Sequence, residues 1–148
     1  MLKNAKYRNG EESWRVIDYP VIVEETGELG VIEYGKEMGF VVKRIFYLRN
    51  IKENATRGLH SHKELKQIIV CLNGAFTLEL NNGLEKYSER MLPENHGIYV
   101  DGKVWREMKN FTEDAVVMVL CDREYRFDEV IRDHAVFLKN LEDVNNDL

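Results

Sequence analysis

Apolar residues fall at every second position along much of the chain, in short runs broken by turn-forming residues, and period two is the signature of half-buried strands. On this pattern residues 14–23 and 30–34 form opening strands and 40–49 a longer one. Residues 67–72, 75–80, 97–100, 104–108 and 115–121 continue the series. Asn73-Gly74, Asn82-Gly83 and Asp101-Gly102 supply the positive φ that tight turns need, and the first is expected to close a hairpin between 67–72 and 75–80. Some nine or ten strands at this spacing predict an all-β sandwich or barrel. Only the end reads as helical: Ile131, Ala135, Leu138 and Leu141 recur at helical spacing within 127–141, with Asp128 or Asp122 able to begin the element.

Within 40–49 the alternate residues Phe40, Val42, Arg44, Phe46 and Leu48 predict one inward face. An arginine in an apolar stripe is costly unless partnered, so Arg44 either makes a buried ion pair or meets an anionic ligand. Composition adds limits rather than detail. The 148 residues, 44% hydrophobic and 32% charged, suit one domain over 1–148, with no repeat, linker or low-complexity tract. A net charge of −5 without a long Lys/Arg run excludes a general nucleic-acid surface, so any anionic ligand needs a local cationic cluster. No apolar stretch is long enough to cross a bilayer and the first residues lack a signal core, so a cytoplasmic protein without a membrane partner is expected. Cys71 and Cys121 lie in apolar runs without CxxC spacing and are expected to be buried thiols.

The chemistry-bearing segment is Arg57-Gly58-Leu59-His60-Ser61-His62-Lys63, which places two of the chain's four histidines two residues apart. On a strand such residues point to the same face. If that face lines an interior, two groups that exchange protons near neutral pH share one pocket, which suggests proton-transfer chemistry or metal binding. The plainer alternative is a hydrated strand end. Arg57 and Gly58 bring a cation and a permissive backbone to the same spot.

The order His60-x-His62, Gln67, Gly74 and then Trp105-Arg106 follows the metal pattern of cupins, in which a His-x-His pair precedes a glutamate, a glycine and a third histidine. The carboxylate position here is Gln67, a poor ligand for transition metals, and the third imidazole position falls on Arg106, which cannot be one. The expectation is a cupin scaffold without a metal or other cofactor, leaving His60 and His62 free as acid and base.

Taken together, the run from Arg57 through Lys63, the stretch Gln67-Ile68-Ile69-Val70-Cys71-Leu72-Asn73-Gly74, Gly97-Ile98-Tyr99-Val100, Val104-Trp105 and residues 110–120 and 130–133 resemble the nucleotide-sugar 3,4-ketoisomerases of the RmlC-like cupins. The resemblance runs from about Gly27 to Leu138. It implies an all-β, RmlC-like cupin jelly-roll barrel with a short C-terminal helix, and a homodimer that exchanges N-terminal strands. It also implies action on a dTDP-4-keto-6-deoxyhexose without a metal, for the making of amino-deoxy sugars of surface glycans. Carried over by position, His60 is the base at C3 and His62 its partner in proton relay. Arg57, Arg44 and Arg106 balance negative charge, and Tyr47 and Gln67 form hydrogen-bonding wall. Trp105 packs beside sugar or thymine, or is plain core.

Three positions depart from the family pattern. Phe46 stands where a proton-shuttling tyrosine is usual, Thr26 where an arginine precedes Gly27, and Arg106 where a histidine follows Trp105. These leave two other readings open: an epimerase using the same enolisation, and a cupin that binds a nucleotide sugar without turning it over.

Overall fold

The computed structural model describes residues 3–146. Among them run thirteen strands: β1 (Ala5–Lys6), β2 (Glu12–Asp18), β3 (Val21–Glu24), β4 (Gly27–Gly30), β5 (Arg44–Leu48), β6 (Arg57–His62), β7 (Gln67–Asn73), β8 (Phe76–Asn81), β9 (Lys86–Met91), β10 (His96–Val100), β11 (Trp105–Lys109), β12 (Val116–Cys121) and β13 (Val130–Ile131). Two short helices follow, α1 (His134–Asn140) and α2 (Glu142–Asn145). The strands form a six-stranded sheet ordered β1-β2-β10-β7-β12-β5 and a five-stranded sheet ordered β13-β6-β11-β8-β9, both antiparallel throughout, while β3 and β4 pair only with each other. No helix among the described residues is long and apolar enough to cross a membrane.

The alternation read from the sequence is visible in β8, where Phe76, Leu78 and Leu80 are buried and Thr77, Glu79 and Asn81 are half-exposed. Those inward residues meet Trp14, Ile98, Val100, Val117 and Val119 of the other sheet in the main core. β7 does not alternate: Gln67 to Cys71 are all buried, because this central strand is covered on both faces. Ile68 and Val70 belong to a second cluster on the outer face, with Ile17, Tyr19, Leu120 and Met38.

The structure revises several expected elements. Asn73-Gly74 does not close a hairpin, since β7 pairs with β10 and β12 while β8 pairs with β9 and β11, so this turn carries the chain from one sheet to the other. Gly74 has φ +63, and a Cβ there would lie 2.3 Å from Thr112 Oγ1, so no other residue fits. Asn82-Gly83 does close a hairpin, between β8 and β9, a strand the sequence pattern had not singled out. Residues 14–23 break into two strands around Tyr19-Pro20, because a proline cannot donate to a ladder.

The stripe from Phe40 to Leu48 is split. Phe40 and Val42 pack on the outer cluster, whereas Phe46 and Leu48 pack on the main core. The terminal helix is shorter than expected, since Phe127–Glu129 is a 3-10 turn and Val130–Ile131 a strand. Asp133, not Asp128 or Asp122, caps α1 by accepting from the backbone N–H of Ala135 and Val136 at 2.8 and 3.2 Å. Its core-facing residues are Phe137, Leu141 and Val144 together with Ile131, while Leu138 is exposed. Both cysteines are free and buried, as expected.

Candidate active site

β6 carries the two histidines, and its geometry explains why both rings turn inward. The ladder to β11 pairs Arg106 with His60 and Glu107 with Gly58, which leaves Leu59 as an extra residue on β6. This is a β-bulge, and it resets the phase of the strand so that a residue beyond it can be re-aimed. Gly58 and Leu59 both have positive φ, +86 and +59. A Cβ on Gly58 would approach the carbonyl oxygen of Arg106 to 2.8 Å, so glycine is required, and Leu59 stores backbone strain beside a functional residue.

The imidazoles of His60 and His62 meet edge to face with ring centroids 4.7 Å apart. Nδ1 of His60 and both ring nitrogens of His62 are buried without a protein hydrogen-bond partner. Buried polar atoms are normally satisfied, so this cluster is built to receive something polar. Burial holds the His60 pKa down to about 3, with the charges of Arg106 and Arg132 acting in the same direction. His62 is lowered still further, first by burial, then by Arg106 and by His60 itself. Both rings are therefore neutral at physiological pH and able to accept a proton.

They line a cavity of about 390 Å³ between the two sheets and the segment after β12. Phe46 and Leu65 give it an apolar wall, and Arg44, Arg126 and Arg132 line it as well, against two carboxylates, Glu124 and Glu129. One of those carboxylates is committed, since Glu129 Oε1 accepts the backbone N–H of Glu64 and Leu65 at 2.5 and 2.7 Å. Arg126 is paired with Asp128 at 3.0 Å. Arg44 makes no ion pair among the described residues. Its Nη2 donates to Cys121 Sγ at 3.6 Å and its guanidinium lies 5.5 Å from the Tyr125 ring centre, leaving Nε buried and unpartnered. Of the two readings of Arg44, the buried ion pair is therefore not met among the described residues.

Other expected site residues stand elsewhere. Tyr47 is 60% exposed, on the face of β5 opposite Phe46, with Arg49 over its ring. Arg57 is exposed at the far end of β6 and does not line the cavity. Trp105 does not line this cavity: it packs on His134 and Phe137, each with ring centres 5.2 Å away, and with Tyr87, Glu107 and His134 it lines a separate hollow of about 440 Å³. Thr26 lies in the turn between β3 and β4, outside this cavity. Arg106 is wholly buried. It donates from Nη1 to Gln67 Oε1 at 2.7 Å and from Nη2 to the carbonyls of Asp101, Gly102 and Val104 at 2.8, 3.1 and 2.9 Å, so it is no free clamp for phosphate.

Arg132 also lines the cavity, hidden in the sequence by the helical spacing of 127–141, and so do Tyr125 and Arg126, which fall between the last expected strand and that helix where no periodicity marks an element. The available signal was period two: Val130 and Arg132 are alternate residues, and both line the cavity. The donor set does not fit a metal. No third His, Cys, Asp or Glu joins the histidines among the described residues, and the buried guanidinium behind them repels a cation.

The family described as FdtA: WxcM-like, C-terminal matches residues 12–142. The chain is 35% identical over 131 residues to the TDP-4-oxo-6-deoxy-alpha-D-glucose-3,4-oxoisomerase of Aneurinibacillus thermoaerophilus, covering 88% of this chain and 94% of that one. Among solved structures it is similar to a mutant of the 3,4-ketoisomerase QdtA from Thermoanaerobacterium thermosaccharolyticum in complex with TDP-4-keto-6-deoxyglucose, with a TM-score of 0.86 and 30% identity over 91% of this chain and 98% of that one. A 3,4-ketoisomerase from Helicobacter canadensis gives a TM-score of 0.83 and 33% identity, covering 88% and 98%. The two facing sheets are thus the RmlC-like cupin barrel. A match over most of the chain, on a fold that closes around the paired histidines, means that the protein belongs to the FdtA, WxcM-like C-terminal family.

Proposed function

We propose that the protein is a nucleotide-sugar 3,4-ketoisomerase that converts a dTDP-4-keto-6-deoxyhexose into its 3-keto isomer. The observation that carries this reading is the pair of neutral, unpartnered imidazoles 4.7 Å apart in a cavity lined by arginines. Family relatives that act on or bind TDP-4-keto-6-deoxyglucose support the choice of substrate.

The chemistry suits these groups. Moving the ketone from C4 to C3 removes the proton on C3, whose bonding pair becomes the C3=C4 bond while the carbonyl pair moves onto O4. The enediolate then loses the proton of O3, gains one on O4 and one on C4, so no oxidant or reductant is needed. His60 enters as base because burial keeps it neutral, and the neighbouring His62 passes or returns a proton. Phe46 cannot take part in that relay, so its ring serves to exclude water. Arg44 and Arg132 receive the pyrophosphate, supplying locally the positive charge that a chain of net charge −5 lacks overall.

A homodimer accompanies this reading. The β3–β4 hairpin exposes Ile22, Val23 and Leu29 and has no third strand, and an isolated hairpin is at best marginally stable in water. β5 is an open edge of the six-stranded sheet with Ile45 and Tyr47 exposed. Exchange of the N-terminal hairpin onto a second copy resolves both, and sedimentation at a single protomer mass would contradict it.

The isomerase is tested by incubating the protein with dTDP-4-keto-6-deoxyglucose in deuterium oxide and following C3 by NMR. Exchange at C3 and a 3-keto product are expected, both lost in His60→Asn. No exchange on any nucleotide 4-keto sugar overturns the reading.

A further inference from the structure

We propose that Gln67 donates a hydrogen bond to the developing O4 oxyanion of the substrate, and that Arg106 is the positioning residue that makes the amide a donor toward the cavity. The inference rests on the ketoisomerase reading and goes beyond it, because an amide side chain can present either an acceptor or a donor to a ligand.

The structure settles which. A guanidinium has only donors, so the group facing Nη1 of Arg106 must be the oxygen of the Gln67 amide, as the 2.7 Å contact requires. The opposite orientation would set N–H against N–H inside the protein, where an unmade hydrogen bond is expensive. Arg106 cannot move to accommodate it, since its Nη2 is held by three backbone carbonyls and the residue is 0% exposed. The NH2 group is thereby turned away from Arg106. One of its hydrogens is directed at Cys121 Sγ, 3.6 Å away, a weak acceptor that also receives Arg44 Nη2 at the same distance.

Cys121 thus aligns two donors, one neutral and one charged, along the wall that Gln67 and Arg44 share with His60 and His62. A donor fixed before the substrate arrives needs no reorganisation when charge builds on O4, which is where such groups are most effective. Gln67 gives up no proton: it lowers the energy of the oxyanion formed when His60 takes the C3 hydrogen. The same residue occupies the sequence position at which a metal-binding cupin carries its carboxylate ligand, so an N–H donor stands where a metal ligand otherwise would.

The test compares steady-state kinetics and C3 exchange of the full chain with those of Gln67→Glu, which keeps the shape and the Arg106 partner but offers only acceptors at neutral pH. A fall in kcat of about 10²-fold, with KM within about threefold and the melting temperature preserved, is expected for loss of one oxyanion donor. Wild-type kcat within threefold in Gln67→Glu overturns the proposal. If that variant does not fold, Gln67→Met is judged by the same criterion.

For Arg106, the kcat losses of Gln67→Met and Arg106→Met should not multiply in the double variant, because both remove one donor. Multiplicative losses overturn the positioning role, and Arg106→Lys replaces Arg106→Met in the cycle if the latter does not fold. Absence of exchange in the wild type itself defeats the isomerase reading, which is distinguishable from any difference among variants.

Discussion

Acid should unfold this protein earlier than its carboxylates alone would dictate, because His60 and His62 are buried as neutral rings. The folded pKa of His60, about 3, lies below the 6.5 of an exposed imidazole. Below pH 6.5 the unfolded chain therefore binds a proton that the folded chain refuses, and stability falls with falling pH until about pH 3. At pH 5 the unfolded state is almost fully protonated at this residue and the folded state almost not at all, so the loss is about 2 kcal/mol from His60. His62, shifted in the same direction, adds a comparable amount and raises the total to roughly 4 kcal/mol, a large part of the stability of an ordinary domain. The assay is urea denaturation at pH 7.5 and pH 5.0 for the wild type, His60→Asn and His60→Asn/His62→Asn. Each substitution should remove about 2 kcal/mol of the pH dependence while leaving that of the surface carboxylates. If the double variant loses as much stability between the two pH values as the wild type, the rings are not held neutral by burial, and the protonation states assigned to the site are wrong.

Two further outcomes follow from the same geometry. Gly58→Ala forces an L residue to φ +86 with its Cβ 2.8 Å from a backbone oxygen, and should cost about 2–4 kcal/mol by thermal or urea denaturation and lower kcat by displacing His60; an unchanged melting temperature would remove the bulge from the account. Arg132→Ala should weaken binding of TDP by about 1 kcal/mol, five- to tenfold by calorimetry at low salt and less at high salt, while Arg57→Ala leaves it unchanged; equal effects would mean that the arginines of the cavity have been misassigned.

Local rules carried a good part of this structure and failed where tertiary context decides. Period two in 75–80 and 115–121 located β8 and β12, and the i, i+2 spacing of His60 and His62 put their rings together. The same rule puts Phe46 on the inward face of β5 and therefore Tyr47 outward, as the structure has them; it was the carry-over of Tyr47 by position as cavity wall that ran against this alternation. Asn73-Gly74 has hairpin chemistry and makes a tight turn, yet turn chemistry does not reveal whether the strands it joins pair or part. At 127–141 the spacing of Ile131 and Leu141 arises from a strand and a helix that touch one core, so an apparent helical period concealed β13 and with it Arg132.

Arg106 shows most clearly why residue type alone misleads. By sequence it is a cation in a site that binds an anion, and direct contact with phosphate is the economical reading. In the fold its Nη1 and Nη2 hydrogen bonds are spent on Gln67 and on the turn between β10 and β11, and its charge helps to keep both imidazoles unprotonated. A histidine there could not bridge that amide and three carbonyls at once, having two ring nitrogens against a guanidinium's five N–H groups. The departure at this position therefore bears on how the proposed base and amide donor are held, and in the proposed isomerase the pyrophosphate is left to Arg44 and Arg132, whose side chains line the cavity without a carboxylate partner among the described residues.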